Sequence, residues 1–449
     1  MNPRRLLPGL DLGHRGMRSM EDYDIDAATG FFPPEPLPRL DGQFEIWENA
    51  LDEAVKKLSL GEDTREAAKA KRADGESWRA TIRSMPQLET ACLGDDLRLL
   101  QRAHKVLAFL IQFFVHSHPP SEDKTPMIVP KCLAIPIVDV SRILGIAPVL
   151  TFADTVLWNA EPVDPRLPLS PSNVRFIHTF SGTNTEHEFY VSSMKAEMRG
   201  VEILRIVDSY VHLPNPTDVL SMSKTSRDLM RLAAVVQDLT EIMGMIKNHV
   251  DPHSFYWEVR HWYKGTPANG PDTSRWIYEG VPDSDKLDLS GPSAGQSTVM
   301  HAIDVFLDVD HKQEQRRTPA PSEANKKADK GFMERMWKYM PGAHQQYLHD
   351  LRAIPTPIRS LAKESPRVRE AYDLSVLSLK KFRDSHIQVA CLYVISMARS
   401  TPPGTPEEAK ERAELQVSTG PSKGTGGNDL ASLLKSTRDA TNRTVLSRK

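Results

Sequence analysis

A chain of 449 residues is longer than a typical single compact domain, so two domains are expected. Its 57 Lys and Arg nearly balance 59 Asp and Glu without a concentrated basic face, which argues against nucleic acid and anionic membrane as partners. Three widely spaced cysteines, Cys92, Cys132 and Cys391, argue against a disulfide framework or a zinc site and fit a reducing compartment.

The N-terminus has two arginines but no apolar stretch, and Asp11 and Glu21 come too early for a transit peptide, so 1–21 reads as a disordered tail. The longest apolar run, 106–115, is too short to cross a bilayer. Both features predict a soluble, cytoplasmic protein, and nothing demands more than a monomer.

Helical periodicity dominates from there. Residues 44–58 form one amphipathic stretch. Residues 95–118 form a second, with Leu97, Leu100, Ala103, Leu107, Leu110 and Phe114 on one side and Pro119-Pro120 as its stop. Gly145 and Pro148 punctuate the pattern. A boundary there separates a small N-terminal helical domain, 22–150, from a large one, 151–447. The best strand signals, 174–179 and 189–192, do not form an alternating set.

Further helices are predicted at 223–248, 297–307, 335–351 and 365–398, the last with Ser365 as N-cap and Pro366 in the first helical position. Residues 308–330 lack periodicity and read as a flexible insertion. Residues 400–427 are polar and end in Gly424-Thr425-Gly426-Gly427. The chain turns helical again beyond them, so this segment is tethered at both ends like a mobile lid. The fold class is all-α.

Several motifs carry possible chemistry. Gly291-Pro292-Ser293-Ala294-Gly295 matches the hydrolase elbow, but the buried strand that must precede the nucleophile is missing; a tight turn opening a helix is the plainer reading. His116 with His118, and His249 with His253, lack metal-site geometry. Phe255-Tyr256-Trp257-Glu258-Val259-Arg260 joins aromatic rings to a guanidinium, which suits an aromatic amino acid: the rings stack and the fork grips the carboxylate. His386 shares a helix face with Phe382, Val389 and Tyr393. A lone histidine there reads first as a core residue, but a neutral imidazole walled by hydrocarbon can also ligate haem iron.

Taken in order, these segments resemble the indoleamine 2,3-dioxygenase family. The resemblance is carried by Asp22-Tyr23-Asp24-Ile25-Asp26, Gly30-Phe31-Phe32-Pro33, Ala134-Ile135-Pro136 and Pro148-Val149-Leu150-Thr151-Phe152-Ala153-Asp154. It continues through Phe189-Tyr190-Val191-Ser192-Ser193, the Phe255 to Arg260 run, Ser293-Ala294-Gly295-Gln296-Ser297, Tyr339-Met340-Pro341, Arg369-Glu370-Ala371-Tyr372, the His386 helix and Lys423-Gly424-Thr425-Gly426-Gly427.

The resemblance implies an all-α enzyme whose large domain binds haem b and which opens the indole C2–C3 bond of L-tryptophan with O2 to give N-formylkynurenine. By position it implies His386 as the proximal iron ligand, Asp304 as the partner orienting that ring, and Arg383 near the haem. Phe189 and Phe255 would pack on the indole. Arg260 would pair with the carboxylate, and Ser193 would lie at the distal face, these two being the catalytic assignments. Phe152, Thr155, Ser293 and Ala294 would line the pocket, with Thr425 reaching it from the lid. Phe152 stands where many members have Tyr, and Pro292 where a Gly is common. Two other readings remain open on sequence: a haem-binding sensor on the same fold, and a hydrolase using Ser293.

Overall fold

The computed structural model describes residues 17–120, 125–266, 275–328, 331–415 and 429–447. It is all-α. In chain order the helices are α1 (Glu45–Lys57), α2 (Glu66–Ala70), α3 (Arg72–Ser84), α4 (Leu97–His116), α5 (Lys131–Leu144), α6 (Asn184–Val211), α7 (Val219–Met245) and α8 (Thr298–Phe306). They continue with α9 (Glu323–Ala328), α10 (Phe332–Trp337), α11 (Gly342–Arg352), α12 (Ile358–Glu364), α13 (Pro366–Ala390), α14 (Pro406–Leu415) and α15 (Leu430–Asn442). Among the described residues strand content is confined to two small pairs: Met127–Val129 runs parallel to Trp276–Tyr278, and Ala160–Glu161 pairs antiparallel with Arg175–Phe176.

α4 is the central strut. Every residue from Leu100 to Val115 is buried, so the helix has no solvent face and its polar side chains must find partners inside. Arg102 holds the Glu48 carboxylate with two 2.7 Å bonds, His104 meets Asp154 at 2.8 Å, and Gln112 donates to the carbonyls of Trp262 and Lys264. Each contact reaches a different segment, so α4 ties the N-terminal helices to the chain on either side of the candidate site. Each large apolar side chain it buries contributes roughly 1.5–3 kcal/mol.

Several predicted elements differ from those observed. Residues 189–192 lie inside α6, where Thr183 accepts from Glu186 N–H as N-cap; Phe189 and Tyr190 belong to a helix packed on several sides, which blurs its periodicity. The 335–351 stretch is two helices, α10 and α11, broken before Pro341. Residues 400–415 are not simply loop, because α14 occupies Pro406–Leu415; Arg412 is fully buried there, donating to the Trp257 carbonyl. The segment 308–330 contains α9, and Arg317 pairs with Asp308 at 2.8 Å. The predicted tail is structured at its end: Met20–Tyr23 forms a 3-10 turn whose Tyr23 hydroxyl donates to Asp350 at 2.6 Å. The predicted caps of α13 are present, with Ser365 accepting from Val368 N–H and Pro366 in the first turn. Among the described residues no helix is long and apolar enough to cross a membrane.

Candidate active site

Three short π-helical turns interrupt the chain: Ala153–Leu157, Phe255–Val259 and Cys391–Ser396. A π-turn inserts one residue into a helix and redirects the side chains beyond it, which is why such turns concentrate at functional sites. Here the first contains Thr155 and follows Phe152, the second contains Phe255 and ends at Arg260, and the third follows the helix of His386. Thr155 and Phe255 thus lie inside π-turns and Phe152 and Arg260 beside them, while Phe189, Ser193, Asp304, Arg383 and His386 stand on regular α-helices.

The second and third turns meet through aromatic contacts. Phe189 of α6 lies 4.7 Å, centroid to centroid, from Phe255, which meets Tyr393 edge-on at 5.7 Å. Tyr393 is two turns beyond His386, and its hydroxyl donates to the Val250 carbonyl at 2.6 Å. Behind this cluster the buried Glu186 carboxylate accepts from the N–H groups of Phe180 and Ser181 and from the Tyr190 hydroxyl, pinning the first turn of α6. Phe189 and Phe255 are thereby held by two helices and a buried polar network.

His386 lies deep in the protein, where burial, with the charge of Arg383 adding to it, lowers its pKa to about 4. The ring is therefore neutral at ordinary pH. Yet the residue keeps some accessible surface, and its ring makes no hydrogen bond among the described residues. A neutral imidazole whose nitrogens no described residue engages is what an iron ligand requires, so this residue fits haem. At Arg260 burial lowers the pKa, yet the residue retains accessible surface, and its guanidinium sits 5.5 Å over the Tyr256 ring.

Asp304 corrects one expectation. Its carboxylate does not reach His386; it takes Arg383 Nη2 on both oxygens at 2.6 Å, and His311 Nε2 at 2.9 Å. The physical reason is competition: a buried carboxylate is better compensated by a guanidinium than by a neutral imidazole. Burial works to raise the Asp304 pKa, but the charges of Arg383 and His311 outweigh it and hold the carboxyl below the usual range. Arg383 also bonds the Thr437 carbonyl and the Thr441 hydroxyl, so it clamps α13 to α8 and α15. Together these contacts fix the helix that carries His386.

The remaining predicted residues divide. Phe152 is buried, and its N–H donates to Gln296 Oε1 at 2.9 Å; Gln296 Nε2 in turn donates to the Gly291 carbonyl at 3.0 Å. One glutamine thus brings Phe152 against the loop bearing Ser293 and Ala294. Thr155 turns its hydroxyl back onto the Thr151 and Phe152 carbonyls, and Ser193 donates to the Phe189 carbonyl at 3.2 Å, so neither proton faces a reacting group. Ser293 is extended and accepts from Gly295 N–H; no histidine bonds its hydroxyl among the described residues, and no strand precedes it, so the hydrolase reading loses its geometry. Trp158, three residues beyond Thr155, packs against His104. Thr425 and the Gly-rich segment lie outside the described residues.

Sequence reasoning missed the supports of this loop. His301 presents Nε2 to the Gly295 carbonyl at 2.7 Å while its Nδ1 accepts from Trp337 Nε1 at 2.9 Å, which assigns the proton to Nε2. Gln296 and Glu197 are the other two. The available signal was a polar residue inside an apolar helical stripe, which sequence alone cannot separate from an exposed one.

Comparison with known proteins gives the same direction. A family model described as "Indoleamine 2,3-dioxygenase" matches residues 19–444. The chain is 30% identical over 440 residues to indoleamine 2,3-dioxygenase 2 of Homo sapiens, covering 95% of this chain and 96% of the relative. It is 27% identical to indoleamine 2,3-dioxygenase 1 of Rattus norvegicus over 432 residues, covering 96% of each. It is also 26% identical to the 6-hydroxytryptophan 2,3-dioxygenase of Fusarium equiseti over 434 residues, covering 94% of this chain and 97% of the relative.

Proposed function

The chain belongs to the indoleamine 2,3-dioxygenase family, whose enzymes are haem-dependent dioxygenases, and on that premise we propose that it opens the C2–C3 bond of L-tryptophan with O2 to give N-formylkynurenine. The observation that carries the reading is His386, a neutral imidazole with no hydrogen bond among the described residues, two helical turns before Tyr393, whose ring meets the Phe255–Phe189 aromatic wall. The relatives' names include 6-hydroxytryptophan as well as indoleamine, so the choice of tryptophan rests on this chain's own residues.

Haem, when bound, supplies the binding and activation of O2, which no side chain can provide. The protein's part is to hold and orient. His386 would ligate the iron, and Arg383 with Asp304 would keep its helix in register. Phe189 and Phe255 would stack on the indole. Arg260 would take the carboxylate, a bidentate contact that fixes the ring against the oxygen, where small misplacements are costly. Phe152, Thr155, Ser293 and Ala294 would border the ring. The Ser193 and Thr155 protons are already engaged, and His301 is held as a fixed hydrogen-bond donor. The reading therefore uses no distal general base: oxygen adds to an electron-rich indole, and both its atoms end in the product.

The test is formation of N-formylkynurenine by haem-loaded, chemically reduced protein given L-tryptophan and O2, run beside 6-hydroxytryptophan. Product from tryptophan, lost together with haem in His386→Ala, is the expected result. A haem-loaded wild type that leaves tryptophan intact would overturn the substrate assignment, and full haem retention by His386→Ala would remove it as the ligand.

A further inference from the structure

On α6, Phe189, Ser193 and Glu197 recur at four-residue spacing and so form one stripe along the helix. The first two belong to the site described above; the third has no part in it so far. Glu197 is 5% exposed. Its Oε1 accepts the Ser297 hydroxyl, while Oε2 is buried with no hydrogen-bond partner among the described residues. No charged side chain on α7, α8 or the neighbouring π-turns offsets it: burial, the larger influence, and the Ser297 hydroxyl are the two that set its acidity, and its pKa is raised to about 7. A buried, uncompensated carboxyl burdens the fold, and groups of that kind concentrate where function needs them.

Its single contact is a junction. Ser297 is the N-cap of α8, accepting from Met300 N–H, and it ends the loop that begins at Gly291. Toward the N-terminus, Gln296 holds both Phe152 and Gly291; toward the C-terminus, α8 delivers Asp304 to Arg383. Both halves of the candidate site therefore hang on the residue that Glu197 grips. The seam between α6 and α8 is tight there, since Gly200, less than a turn further on, lies directly under Val299.

We propose that Glu197 is a positioning residue: while neutral it keeps Ser297 and the pocket loop seated on α6, and loss of its proton loosens that seat. An ionised Oε2 has no donor to meet it, so its charge must be hydrated, and water entering the seam parts α6 from α8. The loop then borders the indole less closely, and substrate affinity falls. This inference rests on the proposed function, because it assigns the loop to substrate binding.

The experiment measures KM and kcat for L-tryptophan in the haem-loaded enzyme from pH 6 to 8.5, together with the apparent Kd from the tryptophan-induced change in haem absorbance. In the wild type we expect KM and Kd to rise several-fold through a midpoint near neutrality, with kcat changing less. Glu197→Gln, which cannot ionise, should give flat profiles at the low-pH affinity. Ser297→Ala removes the hydroxyl that favours the ionised form, so the midpoint should move to higher pH; this second variant decides the matter if the first does not fold. Parallel profiles in the wild type and Glu197→Gln, or an unmoved midpoint in Ser297→Ala, overturn the role of Glu197. Absence of product from the wild type at every pH instead overturns the function on which it rests.

Discussion

At the scale of single residues, the decisive groups are buried charges and how each is answered. Arg383 and Asp304 are both almost fully buried, and each is the other's principal compensation. Asp304→Asn keeps the shape but leaves the guanidinium charged and unanswered. Breaking a buried pair from one side costs about 3–5 kcal/mol. Denaturant unfolding at pH 7 should show a loss of that order, and a loss below about 1 kcal/mol would mean that the pair is not what holds α13. The sign with pH is fixed: the Asp304 pKa is depressed in the fold, so its contribution is complete above the unfolded carboxyl value and is lost as pH falls through the folded one. The difference between wild type and variant should therefore be constant from pH 5 upward. Sequence pointed to these residues and missed their wiring, since no periodicity says which of two neighbouring basic groups, Arg383 or His386, a carboxylate will choose.

At the scale of elements, legibility followed boundary signals: α1 and α4 were found to within two residues at each end, and α13 at its Ser365-Pro366 start, while its predicted end at 398 ran past Ala390 into the π-turn and 3-10 turn that continue it. α6 was missed because its faces meet several neighbours, and a run such as Phe189-Tyr190-Val191 reads equally as strand. The π-turns were invisible for another reason: an inserted residue changes hydrogen bonding without changing composition. Gly200 shows how such packing can still be tested. A glycine inside a helix normally gives up about 1 kcal/mol relative to alanine, so Gly200→Ala ought to stabilise α6. A Cβ there, however, meets Val299 Cγ1 at 2.5 Å, and overpacking of that kind costs about 1–3 kcal/mol. We expect Gly200→Ala to lower the melting temperature alone and to raise it in a Val299→Ala background. Additive effects in that double-mutant cycle would show that α6 and α8 are not in close contact at this point.

At the scale of the whole molecule, the same dryness that shapes the pocket makes the fold sensitive to acid. His178, His301 and His344 are buried, and burial is the main cause holding each pKa at about 4. An unfolded chain binds protons at these positions near pH 6.5, so between pH 6.5 and 4 the unfolded state takes up protons that the fold refuses. Stability is therefore undiminished above pH 6.5 and falls as pH drops toward 4, by at most ~4 kcal/mol per pH unit for three such groups acting together. Glu197 works in the opposite sense, because its raised pKa favours the fold as pH falls from about 7 toward the ordinary carboxyl value, but it is one group against three. His386 shares the low pKa of the buried set, and ligation would block its protonation altogether. Urea unfolding of haem-free protein from pH 7.5 to 4.5 should thus show a steep loss of stability below pH 6.5. Haem-loaded protein should be more stable throughout, and across this interval the two curves should fall nearly in parallel, because His386 is unprotonated in the fold with or without haem. Below pH 4, where the haem-free ring can take up a proton in the fold and a ligated ring cannot, the loss should be steeper for the haem-loaded form; curves that stay parallel there would count against His386 as the iron's ligand.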